Sequence, residues 1–301
     1  MVVLIYILLT LFSYFVGNIS WSRIISKAKR VDITKQGSGN PGATNMLRTF
    51  GAKTGFLVLF LDAVKGIIPA LIGKLLFHWT GLNSDIGLFV AGLSVVIGHM
   101  FPVIYKFKGG KSVSTTLGVF MVANPLWLVV AFLVGFLYVW LFDYVSVASL
   151  FIVAFMSGLQ GFWYTNYSGY SNAELIALNT LIFFIFGLIW YAHRKNILRL
   201  MLGKENKANL QKSFKKQVKA QQKEEYKEQK NQLKQEIKEL KAEYKKDAKN
   251  KKKSLKTEYK SAKENLSGTN ADILASQISQ NVDEFNQSID KDDKNIIDGE
   301  K

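Results

Sequence analysis

The chain has 301 residues, no cysteine and a formal net charge of +16. The absence of cysteine excludes disulfides, thiolate metal sites and a cysteine nucleophile. Charge and apolar residues are distributed so unevenly that the part up to about Gly203 and the part from Lys204 onward are separate problems.

The first run, "MVVLIYILLTLFSYFVGNI", approaches the roughly 20 mostly apolar residues that cross a bilayer and predicts a helix over about 2–21. No basic region precedes it and no small-residue cleavage site follows, which reads as a retained helix rather than a signal peptide. Further helices are predicted over about 55–78, 86–105, 125–142, 145–163 and 172–191. Basic residues cluster after the first run (Arg23, Lys27, Lys29, Arg30, Lys35, Arg48, Lys53), after the third (Lys106, Lys108, Lys111) and after the last (Arg194, Lys195, Arg199). The preference of lysine and arginine for the cytoplasmic side places all three loops inside.

Six crossings from an external N-terminus would put the last loop outside, against its charge. A seventh is required, and only "VSTTLGVFMVA", residues 113–123, remains to supply it. At about 1.5 Å per residue it covers roughly half the hydrocarbon thickness. It is therefore expected to be a short or tilted helix sheltered by neighbours, because backbone ends are not left in lipid. The expected fold is an all-α integral membrane protein with seven transmembrane helices, one of them short, N-terminus outside and C-terminus cytoplasmic.

From Lys204 the composition changes. The expected division is a membrane-embedded domain over 1–203, a lysine- and glutamate-rich tail over 204–266 and a mildly acidic segment over 267–301. In the tail Tyr226, Leu233, Ile237, Leu240 and Tyr244 fall at heptad-like intervals, which fits a charged helix or short coiled coil between about 210 and 262. "LSGTN" interrupts it, and Leu274, Ile278, Val282, Phe285 and Ile289 predict a second amphipathic helix. A disordered extension hugging anionic lipid competes with a protein-binding role. No nucleic-acid partner is expected.

The predicted orientation puts "GSGNPGATNMLR" (37–48), "FKGGKS" (107–112) and "AHRKNILRL" (192–200) on one rim. Glycine lets successive backbone N–H groups turn toward a ligand, and such nests bind phosphate; arginine and lysine supply the opposite charge. Each loop alone has a simpler explanation: a turn for the first, headgroup contact for the second, a basic helix end at the membrane surface for the third. "GGKS" is not a phosphate-binding loop of the ATPase kind, since Tyr105 stands where that motif needs glycine.

Within the spans, Asp62 and Lys65 lie three apart on one face and suit either a structural ion pair or a functional site. Ser146 and Ser149 suit helix packing. Of the histidines, His78 reads as interfacial and His99 as a core residue, whereas His193, beside the cationic rim, is the better candidate for proton or hydrogen-bond work. No spacing suggests a metal, and no cofactor is expected.

"GSGNPGATNMLRTFG", "GHMFPVIYKFKGGKSVSTTLG" and "HRKNILRLMLGKE", in this order and between these helices, resemble the three motifs of the bacterial acyl-phosphate:glycerol-3-phosphate acyltransferases of the PlsY type, over roughly residues 1–206. The resemblance implies transfer of an acyl group from fatty acyl phosphate to the 1-hydroxyl of glycerol 3-phosphate in a bacterial cell membrane, giving lysophosphatidic acid and inorganic phosphate at the cytoplasmic face. It implies catalytic roles for Ser38, Arg48, His193 and Asn196. Substrate contacts would come from Gly39, Asn40, Asn45, Lys108, Gly109, Gly110, Lys111 and Ser112. Asp62, Lys65, His99 and Glu205 would support the site. One departure is Ser112, where the family commonly has glycine; a position needing positive φ would be strained there.

An acyl phosphate is already activated, so the tasks left are to align two anions and neutralise them. The acyltransferase arrangement with aspartate five residues after histidine is absent, because Ile104 stands five after His99. Direct transfer without an acyl-enzyme is expected, with substrate phosphate or His193 taking the hydroxyl proton. The competing class is a transporter or channel for a phosphorylated metabolite, which often shows repeated halves and a polar midplane path; no internal repeat is evident. A membrane tether acting through its tail is a third class. Deletion after Lys207 is expected to leave acyl transfer largely intact.

Overall fold

The computed structural model describes residues 2–265 and residues 273, 276, 277, 279–281, 283, 284 and 287. The predicted helix through Leu274, Ile278, Val282, Phe285 and Ile289 lies outside the described residues. Among the described residues there is helix and no strand. Two compact units are formed, Met1–Lys219 and Ala220–Lys301.

The first unit is a bundle. In chain order its helices are α1 (Val2–Gly17), α2 (Trp21–Ala28), α3 (Ala43–Phe50), α4 (Ala52–Trp79), α5 (Ser84–Met100), α6 (Val113–Ala123), α7 (Pro125–Phe142), α8 (Val145–Tyr167), α9 (Asn172–Ala192) and α10 (Arg194–Met201), followed by the start of α11 (Leu210–Asn265). Among the described residues six segments are long and apolar enough to cross a membrane: Val2–Ala28, Ala52–Trp79, Ser84–Tyr105, Pro125–Phe142, Val145–Tyr167 and Asn172–Ala192. The apolar window of α5 is 67% buried, against 22% for those of α7 and α9, so α5 is the central post. Its Leu88, Phe89, Val95 and Val96 share a core with Phe120 of α6, Val153 of α8 and Ile182 and Ile185 of α9. The outward faces present Leu4, Phe60, Leu133 and Phe183, as a lipid-facing surface requires.

The first predicted helix is broken. Its carbonyls at the break are taken by α4: buried Lys65 donates from Nζ to Ile19 O at 2.6 Å and pairs with Asp62 Oδ1 at 3.0 Å. Asn18 Nδ2 also donates back to Tyr14 O at 2.7 Å. The chain can leave the helix without orphaning its polar backbone. After the break α2 is amphipathic, with Ser22 and Ser26 buried while Ile24 is exposed.

The segment left over by the hydropathy pattern forms α6 over Val113–Ala123, with Thr115 to Phe120 buried. Only Asn124 separates it from Pro125, the first residue of α7, where the missing N–H of proline costs nothing. Glycines seat α6 against α4. A Cβ added at Gly66 would strike the Thr115 carbonyl, and one at Gly118 would strike that of Ala63. Small residues permit such approach, and close packing holds helices together where lipid removes the hydrophobic drive. Gly66→Val and Gly118→Val are each expected to destabilise the protein by about 1–3 kcal/mol, read as a lower Tm in detergent. Gly158→Ala, at a helical glycine with open space around its Cβ position, should leave the Tm unchanged or raise it.

The compositional change at residue 204 is not where packing ends. Ala208 and Leu210 are buried against Leu47, Ala52, Val139 and Ala148, with Phe56, Phe136 and Phe214 alongside. Asp143 anchors this stretch, its carbonyl accepting from Ala208 N at 2.9 Å and its carboxylate from Leu210 N at 3.1 Å. In the second unit α11 continues to Asn265, as the tail's heptad spacing suggests.

Candidate active site

One end of the first unit collects the loop before α3, the loop between α5 and α6, the start of α8, and α10 with the residues after it. The loop before α3 is shaped from within. Asn45, 1% exposed, accepts from Ser38 N at 3.0 Å and donates to Ile33 O at 3.2 Å and Gln36 O at 2.9 Å. Gly37 and Gly39, at φ 53° and 70°, take the left-handed turns that other residues resist. Asn45 therefore spends its amide hydrogens on the backbone that presents Ser38, Gly39 and Asn40.

The loop after α5 folds back onto that helix. Gly109 N donates to Met100 O at 3.1 Å and Gly110 N to His99 O at 3.2 Å. A side chain at Gly109 would collide with the His99 carbonyl, and one at Gly110 with its imidazole. Arg23 donates to Lys108 O at 2.8 Å and lies over the Tyr105 ring at 4.5 Å. Ser112 sits at φ 61° as the residue before α6, in the left-handed region. A serine there costs about 1–2 kcal/mol. Its hydroxyl has no hydrogen-bond partner among the described residues.

The third loop is stapled to both its neighbours. Glu205, 8% exposed, accepts from Asn196 Nδ2 at 2.6 Å, Ser146 Oγ at 2.9 Å and Arg199 Nε at 2.9 Å. Burial alone would raise its pKa, but these donors outweigh it and hold the carboxyl below its ordinary value. Asn196, so fixed, accepts from Lys111 Nζ through Oδ1. A continuous relay thus runs from the start of α8 through Glu205 and Asn196 to the glycine loop. Burial, with the cations of Arg199 and Arg48, pushes the Lys111 ammonium down to about 8, against the pull of Glu205.

His193 closes α9. Its Nδ1 lies 2.8 Å from Ile189 O; donation to that carbonyl leaves Nε2 with a lone pair. Burial and then the neighbouring Lys111 push its pKa down to about 4, so the ring is neutral at pH 7. Arg48 donates from Nε to Lys207 O at 3.0 Å and from Nη2 to Asn206 O at 2.8 Å, which latches the first loop to the third and leaves Nη1 uncommitted among the described residues. Deeper in, His99 Nδ1 lies 3.4 Å from Thr115 Oγ1 and 3.9 Å from Asp62 Oδ1.

These groups border one cavity of about 1010 Å³. Ser38, Gly39, Asn40, Asn45, Arg48, Asp62, His99, Lys108 to Ser112, His193, Asn196 and Glu205 all line it, which brings together every residue expected at the site except Lys65. Lys65 belongs to the α1 break. The cavity also has a wall that the sequence did not reveal, formed by Leu59, Leu117, Phe132, Phe136 and Ile152; apolar residues on membrane helices carry no mark of which ones face inward. Arg23 and Arg199, noted in the sequence only as orienting charges, hold loops in place. Among the described residues no cluster of three or more histidine, aspartate or glutamate side chains could hold a metal ion.

The profile of the family described as glycerol-3-phosphate acyltransferase matches residues 7–203. The glycerol-3-phosphate acyltransferase of Aquifex aeolicus is 41% identical over 201 residues, covering 66% of this chain and 97% of that protein. The crystal structure of PlsY (YgiH), an integral membrane glycerol 3-phosphate acyltransferase, in its glycerol 3-phosphate form is 38% identical with a TM-score of 0.59, covering 67% of this chain and 94% of that one. Its lysophosphatidic acid form gives a TM-score of 0.57 over the same shares. With three loops of matching character closing one cavity in a bundle of membrane-length helices, the chain belongs to the glycerol-3-phosphate acyltransferase family and is a membrane-integral acyltransferase.

Proposed function

We propose that the chain transfers a fatty acyl group from acyl phosphate to the 1-hydroxyl of glycerol 3-phosphate, releasing lysophosphatidic acid and inorganic phosphate at the cytoplasmic face of a bacterial membrane. The observation that carries this reading is a single cavity with two chemistries. Its lining holds Lys108, Lys111 and Arg48, suited to anions, and Phe132, Phe136 and Leu117, suited to an acyl chain. The similar PlsY structures carry glycerol 3-phosphate and lysophosphatidic acid by name.

In the proposed reaction the substrate hydroxyl oxygen attacks the acyl carbonyl carbon. The bond from that carbon to the phosphate oxygen breaks, and phosphate leaves with the electron pair. Ser38, Lys108 and Lys111 bind the two phosphates and hold them in line, the lysines neutralising their charge. Arg48 adds charge through its uncommitted donors, and Asn45, Glu205 and Asn196 position the loops. His193, neutral with a pKa of about 4, is a weak base; its Nε2 accepts the hydroxyl hydrogen bond and aims the oxygen, and the departing phosphate takes the proton. Asp62 and His99 support the glycine loop from below.

The inside placement follows from the basic residues of all three loops. With α6 counted as a seventh crossing the N-terminus lies outside and the tail in the cytoplasm. Two assays test the proposal. Purified protein given acyl phosphate and labelled glycerol 3-phosphate should form labelled lysophosphatidic acid; phosphate release without that product would overturn it. We take the catalytic unit to extend through Lys219, because Ala208, Leu210 and Phe214 pack beside the loop latched by Arg48. Truncation after Lys219 is expected to keep full turnover. Truncation after Lys207, which would be harmless if the tail began at the change of composition, is expected to lower it about tenfold by loosening the third loop.

A further inference from the structure

The second unit carries a pattern that acyl transfer does not use. Along α11, Tyr226, Leu233 and Leu240 recur every seven residues, and Ile237 and Tyr244 follow Leu233 and Leu240 by four. Tyr226, Leu233 and Leu240 are 67%, 56% and 64% exposed and Ile237 is 37% exposed. In heptad terms the first set occupies d and the second a, with Lys230 at the preceding a position. One flank of this stripe, position e, is Lys227, Lys234 and Lys241; the other, position g, is Gln229, Glu236 and Glu243.

We infer that this face of α11, from Lys223 to Asp247, pairs with the same face of a second copy of the chain, the two helices running parallel. The flanks specify the direction. In a parallel pair each g residue meets the e residue of the partner's next heptad, so Glu236 meets Lys241 and Gln229 meets Lys234. In an antiparallel pair e would meet e and g would meet g, setting lysine against lysine and glutamate against glutamate. Isoleucine at a with leucine at d favours two strands, and a single lysine at a fixes register at some cost in stability. Two copies inserted the same way in one membrane present their tails parallel.

Charge balance argues against a bilayer as the occupant. Between Lys223 and Asp247 eight lysines are matched by seven acidic residues, whereas from Lys249 to Glu264 seven lysines meet two glutamates. The apolar stripe lies on the balanced part, where an anionic surface has little net charge to hold. Confinement to one membrane raises the effective concentration of so short a coil.

The cysteine-free chain permits a direct test on the full-length protein in bilayer vesicles. Tyr226→Cys, Leu233→Cys and Leu240→Cys should each give disulfide-linked homodimers on mild oxidation, about tenfold faster than Ala242→Cys on the opposite face. Glu236→Lys should slow cross-linking of Leu240→Cys, and Glu236→Lys with Lys241→Glu should restore it. Cross-linking at only one of the three positions would mean an antiparallel contact and overturn the inference. So would equal rates on both faces, or no homodimer. Protection of the three cysteines from a water-soluble maleimide by anionic vesicles alone, without cross-links, would assign the stripe to the bilayer and likewise overturn it.

Discussion

Glu205→Ala is expected to lower kcat/KM for acyl transfer by about two orders of magnitude while the protein still inserts and purifies as a folded species. The carboxylate receives three donors, from Ser146, Asn196 and Arg199, and through Asn196 it fixes the acceptor of Lys111. Without it two buried donors lose their partner, at about 1–3 kcal/mol each, and the third loop can move relative to the glycine loop. Glu205→Gln should fall between, because an amide keeps the acceptor toward Asn196 but turns N–H groups toward Arg199. Comparing KM and kcat separates positioning from simple support. A positioning residue raises KM for glycerol 3-phosphate and lowers kcat, whereas a merely structural one lowers the Tm and spares the kinetics of the surviving enzyme. With its pKa held below the ordinary value, Glu205 keeps the staple ionised across the neutral range and contributes no acid limb there.

Lys111→Ala should raise KM for glycerol 3-phosphate about 10- to 100-fold, the loss of one charge-assisted contact of about 1.5–3 kcal/mol. The wild-type pH profile gives a second signature. The Lys111 ammonium, pushed down to about 8 by burial and by neighbouring cations, loses its proton as pH rises through that value. Phosphate binding weakens as the charge disappears, so kcat/KM, which reports the free enzyme, should fall above about pH 8 and approach tenfold per unit. Lys111→Arg remains charged throughout. If that variant is active its alkaline limb should vanish; an unchanged limb would place the titration elsewhere.

Much of this protein is legible along the chain, because membrane insertion writes its constraints in linear form. A span needs about 20 apolar residues, and lysine and arginine mark the loops between spans. Those rules located the long helices, and the parity of crossings drew attention to 113–123, which forms the helix α6. Local backbone needs are also linear: Gly37 and Gly39 take positive φ, as glycine permits. The three glycine- and cation-bearing loops pointed to anion-binding chemistry only when taken together on one predicted rim, since each alone had a simpler explanation.

What only the tertiary structure decided is how distant groups share their bonds. Sequence spacing cannot show that Lys65 serves the carbonyl of Ile19 or that Arg48 holds the carbonyls of Asn206 and Lys207. Nor does it show that Ser146 and Asn196 meet on Glu205. The apolar wall was equally hidden, since lipid and protein interior select the same side chains and only packing tells them apart. The chain itself determined which segments lie in the membrane, because that depends on transfer free energy summed along a run. The assembled bundle determined which polar groups line the cavity and which hold its loops in place, because hydrogen bonds in a buried site are set by three-dimensional distance.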